Sequence, residues 1–204
     1  MAKKVLITVG RQFGSGGKSI ALAIGKRLGV TVYDNELLAK AAEESGFSKS
    51  IFERKDEKHN IFTLTNFINT VPHLGSLRTY IDDASIHQIQ ALVIRSIAEN
   101  GPAIFVGRAS DYVLRDMDTL DVFITADMED RIKRVSARMG ISPEQARSLI
   151  PKRDKERSSF YNYLTLTNWG VADTYDLCVN TSRLGIEGSA DFIIEFARRR
   201  GFVE

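Results

Sequence analysis

The residues Gly10-Arg11-Gln12-Phe13-Gly14-Ser15-Gly16-Gly17-Lys18-Ser19 have the types and spacing that bind a polyphosphate. Glycines let the backbone curl so that several N–H groups converge on phosphate oxygens. A helix opening at Lys18-Ser19 adds its free N–H groups and positive dipole end. In this reading Gly14, Ser15, Gly16, Gly17, Lys18 and Ser19 hold the phosphates, Lys18 reaches the β/γ-phosphates, and the Ser19 hydroxyl binds Mg²⁺. One position departs from G-x-x-x-x-G-K-[ST]: Gln12 stands where the first glycine belongs. A dinucleotide fingerprint fits less well, since G-x-G-x-x-G from Gly14 puts Ser19 at its third glycine, and from Gly10 puts Gln12 at its second.

Three further groups could serve the same chemistry. Arg108 follows Gly107 just past an apolar run, Ala103–Val106, and its planar fork suits phosphate oxygens. Arg153 and Arg157 are four apart, on one face of a helix. As part of a lid they would close over the polyphosphate, stabilise the moving phosphoryl group and exclude water. Asp34 opens a helix after a short strand; it caps that helix and sits where a kinase of this fold binds its acceptor. Arg11 either holds the loop or touches phosphate. Val106 ends a strand that in many phosphate-loop enzymes carries an aspartate near Mg²⁺, so the metal would rely on Ser19, nucleotide oxygens, and water or an acid elsewhere. His59, His73 and His87 lack metal-ligand spacing. Cys178 reads as a small core residue. Phe160, Tyr161, Tyr163 and Trp169 could pack the lid or stack on a base, and packing is the better reading.

These groups need a scaffold, and strand and helix patterns alternate along the chain. Strands are expected at Val5–Val9, Val30–Tyr33, Ala103–Val106, Leu120–Thr125 and Leu177–Asn180. Helices are expected at Lys18–Leu28, Asp34 to about Ser45, Tyr80–Asn100, Asp111–Leu114, Asp127–Met139 and Ile186–Arg200. A capped start at Ser142-Pro143 leads a helix into Pro151, with a second helix at Ser158–Leu166. Residues 46–78 read as a helical insertion near the acceptor site, which covers an acceptor or buries a dimer interface. About 142–168 forms the lid region of a single domain, 1–204. This order implies an α/β fold, a doubly wound five-stranded parallel sheet of the P-loop NTPase type. Its ligands lie beyond the carboxyl ends of the strands, where Gly10–Ser19, Asp34, Arg108 and Thr125 should cluster.

Bulk properties agree. With 204 residues, 43% apolar and 26% charged, the chain is an ordinary globular protein. No apolar run reaches the roughly 20 residues of a membrane span. A net charge of +2 gives no case for nucleic acid, and one cysteine excludes an internal disulfide. The expectation is a cytoplasmic protein without a membrane or nucleic-acid partner, monomeric or homodimeric.

The chain resembles the cytidylate kinase-like branch of the nucleoside monophosphate kinases from Val5 to about Phe196. The resemblance rests on Gly10–Gly17, Tyr33-Asp34, Val106-Gly107-Arg108-Ala109, Val122–Ala126 with Arg131, Lys152-Arg153-Asp154 and Asp176–Ser182. It implies a phosphate-loop core, a mobile lid, and transfer of the ATP γ-phosphoryl group to CMP or dCMP, with ATP and Mg²⁺ as cofactors. Lys18 and the loop glycines would bind ATP, Arg108 and Asp34 the acceptor, and Arg153 and Arg157 would act from the lid. Ala109 stands where that family has an aspartate, and Asn35 where it has a serine. The acceptor therefore stays open between CMP or dCMP, another small molecule bearing a hydroxyl, and no acceptor at all in a nucleotide-binding sensor.

Overall fold

The computed structural model describes residues 5–44 and 79–203. The strands are β1 (Leu6–Arg11), β2 (Thr31–Tyr33), β3 (Ala103–Val106), β4 (Leu120–Thr125) and β5 (Leu177–Asn180). They form one parallel sheet in the order β2-β3-β1-β4-β5. β1 lies at its centre because Leu6-Ile7-Thr8-Val9 is buried on both faces. The one polar residue there is satisfied: Thr8 Oγ1 donates to Asp121 Oδ1 at 2.6 Å on β4.

Alternating side chains feed two cores. Ile7 and Val9 pack with Ile20, Ile24, Ile104 and Ile193 beneath α1 (Gly17–Leu28) and the C-terminal helix. Leu6 and Phe105 face the other way, onto Leu38 of α2 (Asn35–Glu44) and Ile89, Val93 and Ile94 of α3 (Thr79–Asn100). A short α4 (Ser110–Val113) closes that side. A third cluster, Ile132, Val135, Ala146 and Ile150, joins α5 (Met128–Met139) to α6 (Pro143–Thr165). The last helix, α7 (Thr181–Arg199), is broken at Gly185, which has φ 67° and ψ −175°. Among the described residues no helix is long and apolar enough to cross a membrane.

Three local expectations change. Pro151 does not divide the 142–168 region; α6 runs through it. Pro151 and Arg147 are both exposed, so the carbonyl that loses its helical partner can face water. Ser142 caps this helix as expected, in a reciprocal pair with Gln145. Asp127 stands at the N-cap of α5 without a side-chain bond to its N–H groups, because its carboxylate faces Asn180 and Arg183 instead. Cys178 is exposed, since β5 is an edge strand. The insertion expected at 46–78, with His59 and His73, lies outside the described residues.

Candidate active site

The carboxyl ends of β1, β2, β3 and β4 meet on one edge, and two adjoining cavities open there. The smaller, about 240 Å³, is the phosphate loop. Gly14 (φ 80°) and Gly16 (φ 87°) make its turn in left-handed conformations that suit glycine. A Cβ on Gly16 would lie 2.3 Å from Ile186 Cδ1, so the loop also needs glycine for space. Gly16 is the N-cap of α1 and offers no side-chain cap, which leaves the first N–H groups of the helix for an anion.

Gln12 has a structural role at the position where glycine was expected. Its N–H donates to Ile124 O at 3.0 Å, its carbonyl accepts from Ser15 N and Ser15 Oγ, and its Oε1 accepts from Ala126 N at 3.4 Å. It ties the loop to β4. Gly14, Gly16, Gly17, Lys18, Ser19 and Asp34 all line the smaller cavity. Ser15 is fully buried beneath it, with its hydroxyl spent on Gln12 and its carbonyl held by Thr181 Oγ1 at 2.8 Å and Arg134 Nη1 at 3.2 Å. It shapes the loop from below.

Lys18 Nζ lies 2.5 Å from Asp34 Oδ2. The hydrogen bond to Asp34 raises the Lys18 ammonium, against slight desolvation. Burial pushes Asp34 up, but bonds from Lys18 and from the N–H groups of Leu37 and Glu36 hold it below its ordinary value. Asp34 therefore caps α2 with one oxygen and pairs the loop lysine with the other. No group of three or more His, Cys, Asp or Glu among the described residues could hold a metal by itself. Ser19 is exposed to the cavity, which suits a hydroxyl ligand that completes its coordination with phosphate oxygens and water.

The larger cavity, about 740 Å³, is basic and aromatic. Gly107, Arg108 and Ala109 take three consecutive left-handed conformations, φ 77°, 60° and 50°. Each of the two non-glycine residues costs about 1–3 kcal/mol there. The turn aims Arg108 at Asn35: Nε donates to Oδ1 at 2.8 Å and Nη2 to the same atom, while the guanidinium lies 5.5 Å over Phe160. Asn35, a departure in the sequence, is thus a partner of Arg108. Nearby, Tyr161 donates its hydroxyl to Asp111 Oδ2 at 2.6 Å. Burial raises the Asp111 carboxyl, lifts Tyr161 well above its ordinary value and takes Tyr175 to about 12. Trp169 and Tyr175 pack on Phe123 and also line this cavity, while Tyr163 is exposed.

α6 delivers the arginine pair. Arg157 Nη1 donates to Arg11 O at 2.9 Å, and its guanidinium lies 5.3 Å over Phe13. Burial lowers Arg157; Asp154 opposes that, and the neighbouring Arg138, Arg131 and Arg153 reinforce it. Arg153 is exposed, pairs with Glu156 at 2.8 Å and lines the larger cavity. Sequence reasoning missed what moors this helix. Asp154 Oδ1 accepts from Phe13 N at 2.7 Å, Asp154 Oδ2 pairs with Arg131 Nη2, and Arg131 Nε donates to Phe13 O at 2.8 Å. The ring of bonds seals both backbone groups of a loop residue, and Arg131 is 4% exposed. The sequence marked Arg131 and Asp154 only as positions that carry the family resemblance, with nothing to join them to Phe13.

Comparison with known proteins agrees with this geometry. Residues 6–183 match the model of the cytidylate kinase-like family. The cytidylate kinase of Pyrococcus horikoshii is 28% identical over 188 residues, covering 91% of this chain and 84% of that one. That of Methanopyrus kandleri is 29% identical over 193 residues, 88% and 86% of the two chains. Among solved structures, an uncharacterized protein from Eubacterium ventriosum superposes with a TM-score of 0.74 at 25% identity, covering 96% of this chain and 99% of that one. The shikimate kinase of Bacteroides thetaiotaomicron shares the fold, with a TM-score of 0.53 at 16% identity over 95% and 98% of the two chains. With its phosphate loop at the carboxyl edge of a five-stranded parallel sheet, the chain belongs to the cytidylate kinase-like family of nucleoside monophosphate kinase-like enzymes.

Proposed function

We propose that this enzyme transfers the γ-phosphoryl group of ATP to CMP or dCMP, with the donor in the smaller cavity and the acceptor in the larger. The observation that carries the reading is that the two cavities share Arg11, Phe13, Asn35, Arg138 and Arg157 as a common wall. Two ligands placed there would meet end to end, whereas a sensor of one nucleotide needs no second basic chamber. The cytidylate kinase names of the relatives support the choice of acceptor.

In this reading Lys18 leaves Asp34 to hold the β/γ-phosphates, and the loop N–H groups bind their oxygens. Ser19 would hold Mg²⁺, which would supply charge neutralisation when bound. Arg108, held by Asn35 and Phe160, orients the acceptor phosphate. Residues 142–168 act as the lid, and Arg153 and Arg157 stabilise the charge that spreads over the moving phosphoryl group. An acceptor phosphate oxygen is already ionised near neutral pH, so no general base is required. A hydroxyl acceptor would need one; once Lys18 leaves, Asp34 keeps one oxygen on the N–H groups of Glu36 and Leu37 and has the other free.

The test is ADP formation from ATP–Mg²⁺ with CMP, dCMP, UMP, AMP and GMP in turn. CMP or dCMP should give the highest kcat/KM, and Lys18→Ala should lower it by about 100-fold or more. Tight ATP binding with no acceptor-dependent ADP from any of the five would reject the reading.

A further inference from the structure

Arg11 ends β1 at the junction of the two cavities, and the mechanism above leaves its side chain unused. Its stem passes Gly17, where an added Cβ would sit 2.7 Å from Arg11 Cβ. Its head lies over Gly107, where an added Cβ would come within 1.5 Å of Nη1. Two glycines thus leave room for the arginine from end to end. The side chain lines both cavities.

Among the described residues this guanidinium has no hydrogen-bond acceptor and no ion-pair partner. Its immediate field is divided: Arg157 and Arg108 repel it and Asp34 attracts it. Burial, with that repulsion, lowers Arg11 to about 9. A half-buried guanidinium carries five donors, and leaving them without acceptors is costly. The neighbouring arginines are better served: Arg131 and Arg157 each bond to loop carbonyls, and Arg108 bonds to Asn35. The described residues supply no acceptor for Arg11, and both cavities give a ligand access to it; an anion where the donor and acceptor chambers join would satisfy both its donors and its charge.

We propose that Arg11 is a catalytic residue whose guanidinium grips the phosphoryl group as it passes from one cavity to the other. The proposal rests on the phosphoryl-transfer reading. In the step, an acceptor phosphate oxygen forms a bond to the γ-phosphorus while the bond from that phosphorus to the β,γ-bridging oxygen breaks. The bridging oxygen leaves with the electron pair as part of ADP. Arg11 donates to equatorial oxygens of the group in flight, and no proton passes through it.

The experiment uses Arg11→Met and Arg11→Lys. Calorimetry compares the affinity for ADP–Mg²⁺ with that for ADP–Mg²⁺–aluminium fluoride plus CMP, a mimic of the moving phosphoryl group. Arg11→Met should bind ADP within about threefold of wild type but lose about 100-fold in affinity for the fluoride complex, with a parallel fall in kcat. Arg11→Lys should recover only part of this, because one ammonium does not span two oxygens. The Arg11→Met protein should melt no lower than wild type, since an unpaired charge has been removed. A purely structural arginine would behave otherwise: an Arg11→Met chain that fails to fold, melts lower or loses ADP and the fluoride complex equally overturns the proposal. So does unchanged fluoride-complex affinity in either variant. If wild type itself forms neither the fluoride complex nor acceptor-dependent ADP, the phosphoryl-transfer reading falls with it; an active wild type beside an equally active Arg11→Met removes the Arg11 assignment alone.

Discussion

His87 shows how a single side chain can make the site sensitive to acid. Its ring meets Phe160 edge-on at 5.5 Å, on the same aromatic residue that carries Arg108. Its Nδ1 is buried without a partner among the described residues. Burial, and then the charge of Arg108, lowers His87 to about 4 from its ordinary 6.5. Between those values the unfolded chain binds a proton that the folded chain refuses, so stability declines as pH falls from 6.5 toward 4. His87→Phe should abolish that share of the loss. At pH 5 the wild type should lose on the order of 1 kcal/mol more than the variant, about 2–4 °C in Tm, after allowance for partial solvent screening. Melting curves at pH 7 and pH 5 check this; equal losses in the two proteins would remove His87 from the account. Nothing in the sequence around His87 pointed to this role, because its neighbours Phe160 and Arg108 come from distant parts of the chain. Lys18 and Asp34 were easier to read, since a glycine-rich turn and a strand-to-helix junction each specify their backbone locally.

At the scale of the element, α6 is the least expected part of the fold and the most informative. Ser142, Pro143 and Gln145 announce its start, and Pro151 announces a stop that the structure ignores. Proline in a helix interior is a local rule, and here the packing of Ala146 and Ile150 on one side and Tyr161 and Thr165 on the other outweighs it. The strands, by contrast, were legible almost to the residue, because β-branched apolar runs bounded by glycine and aspartate have few alternatives. The bond from Phe13 to Asp154 was not, since it spans 141 positions and no periodicity records it. Its consequence is that Arg153 and Arg157 ride on a helix fastened to the phosphate loop. Asp154→Ala would leave the Arg131 guanidinium buried and unpaired, and the expected cost is about 3–5 kcal/mol. Urea denaturation should show it as a lower midpoint. A midpoint near that of wild type would mean that the loop does not depend on this mooring.

For the whole molecule, the distribution of charge matters more than its total. The formal excess is only +2. Among the described residues, six cationic and four acidic side chains line the two cavities, so the cleft alone accounts for the full excess. The other charges of the chain, 22 Lys and Arg against 22 Asp and Glu, cancel in number. Such an arrangement produces little field far from the protein and a concentrated one at the mouth of the cleft. An approaching polyanion is therefore guided during its last few ångströms, within a distance close to the Debye length of ~8–10 Å. Association of a fluorescent ATP analogue, followed by stopped flow, should slow by about tenfold between 20 mM and 500 mM salt, with dissociation changing much less. An association rate indifferent to salt would mean that the cleft attracts nothing until contact. A cleft that carries the whole of a small net charge can in this way draw in its ligands over a short range with little pull from afar.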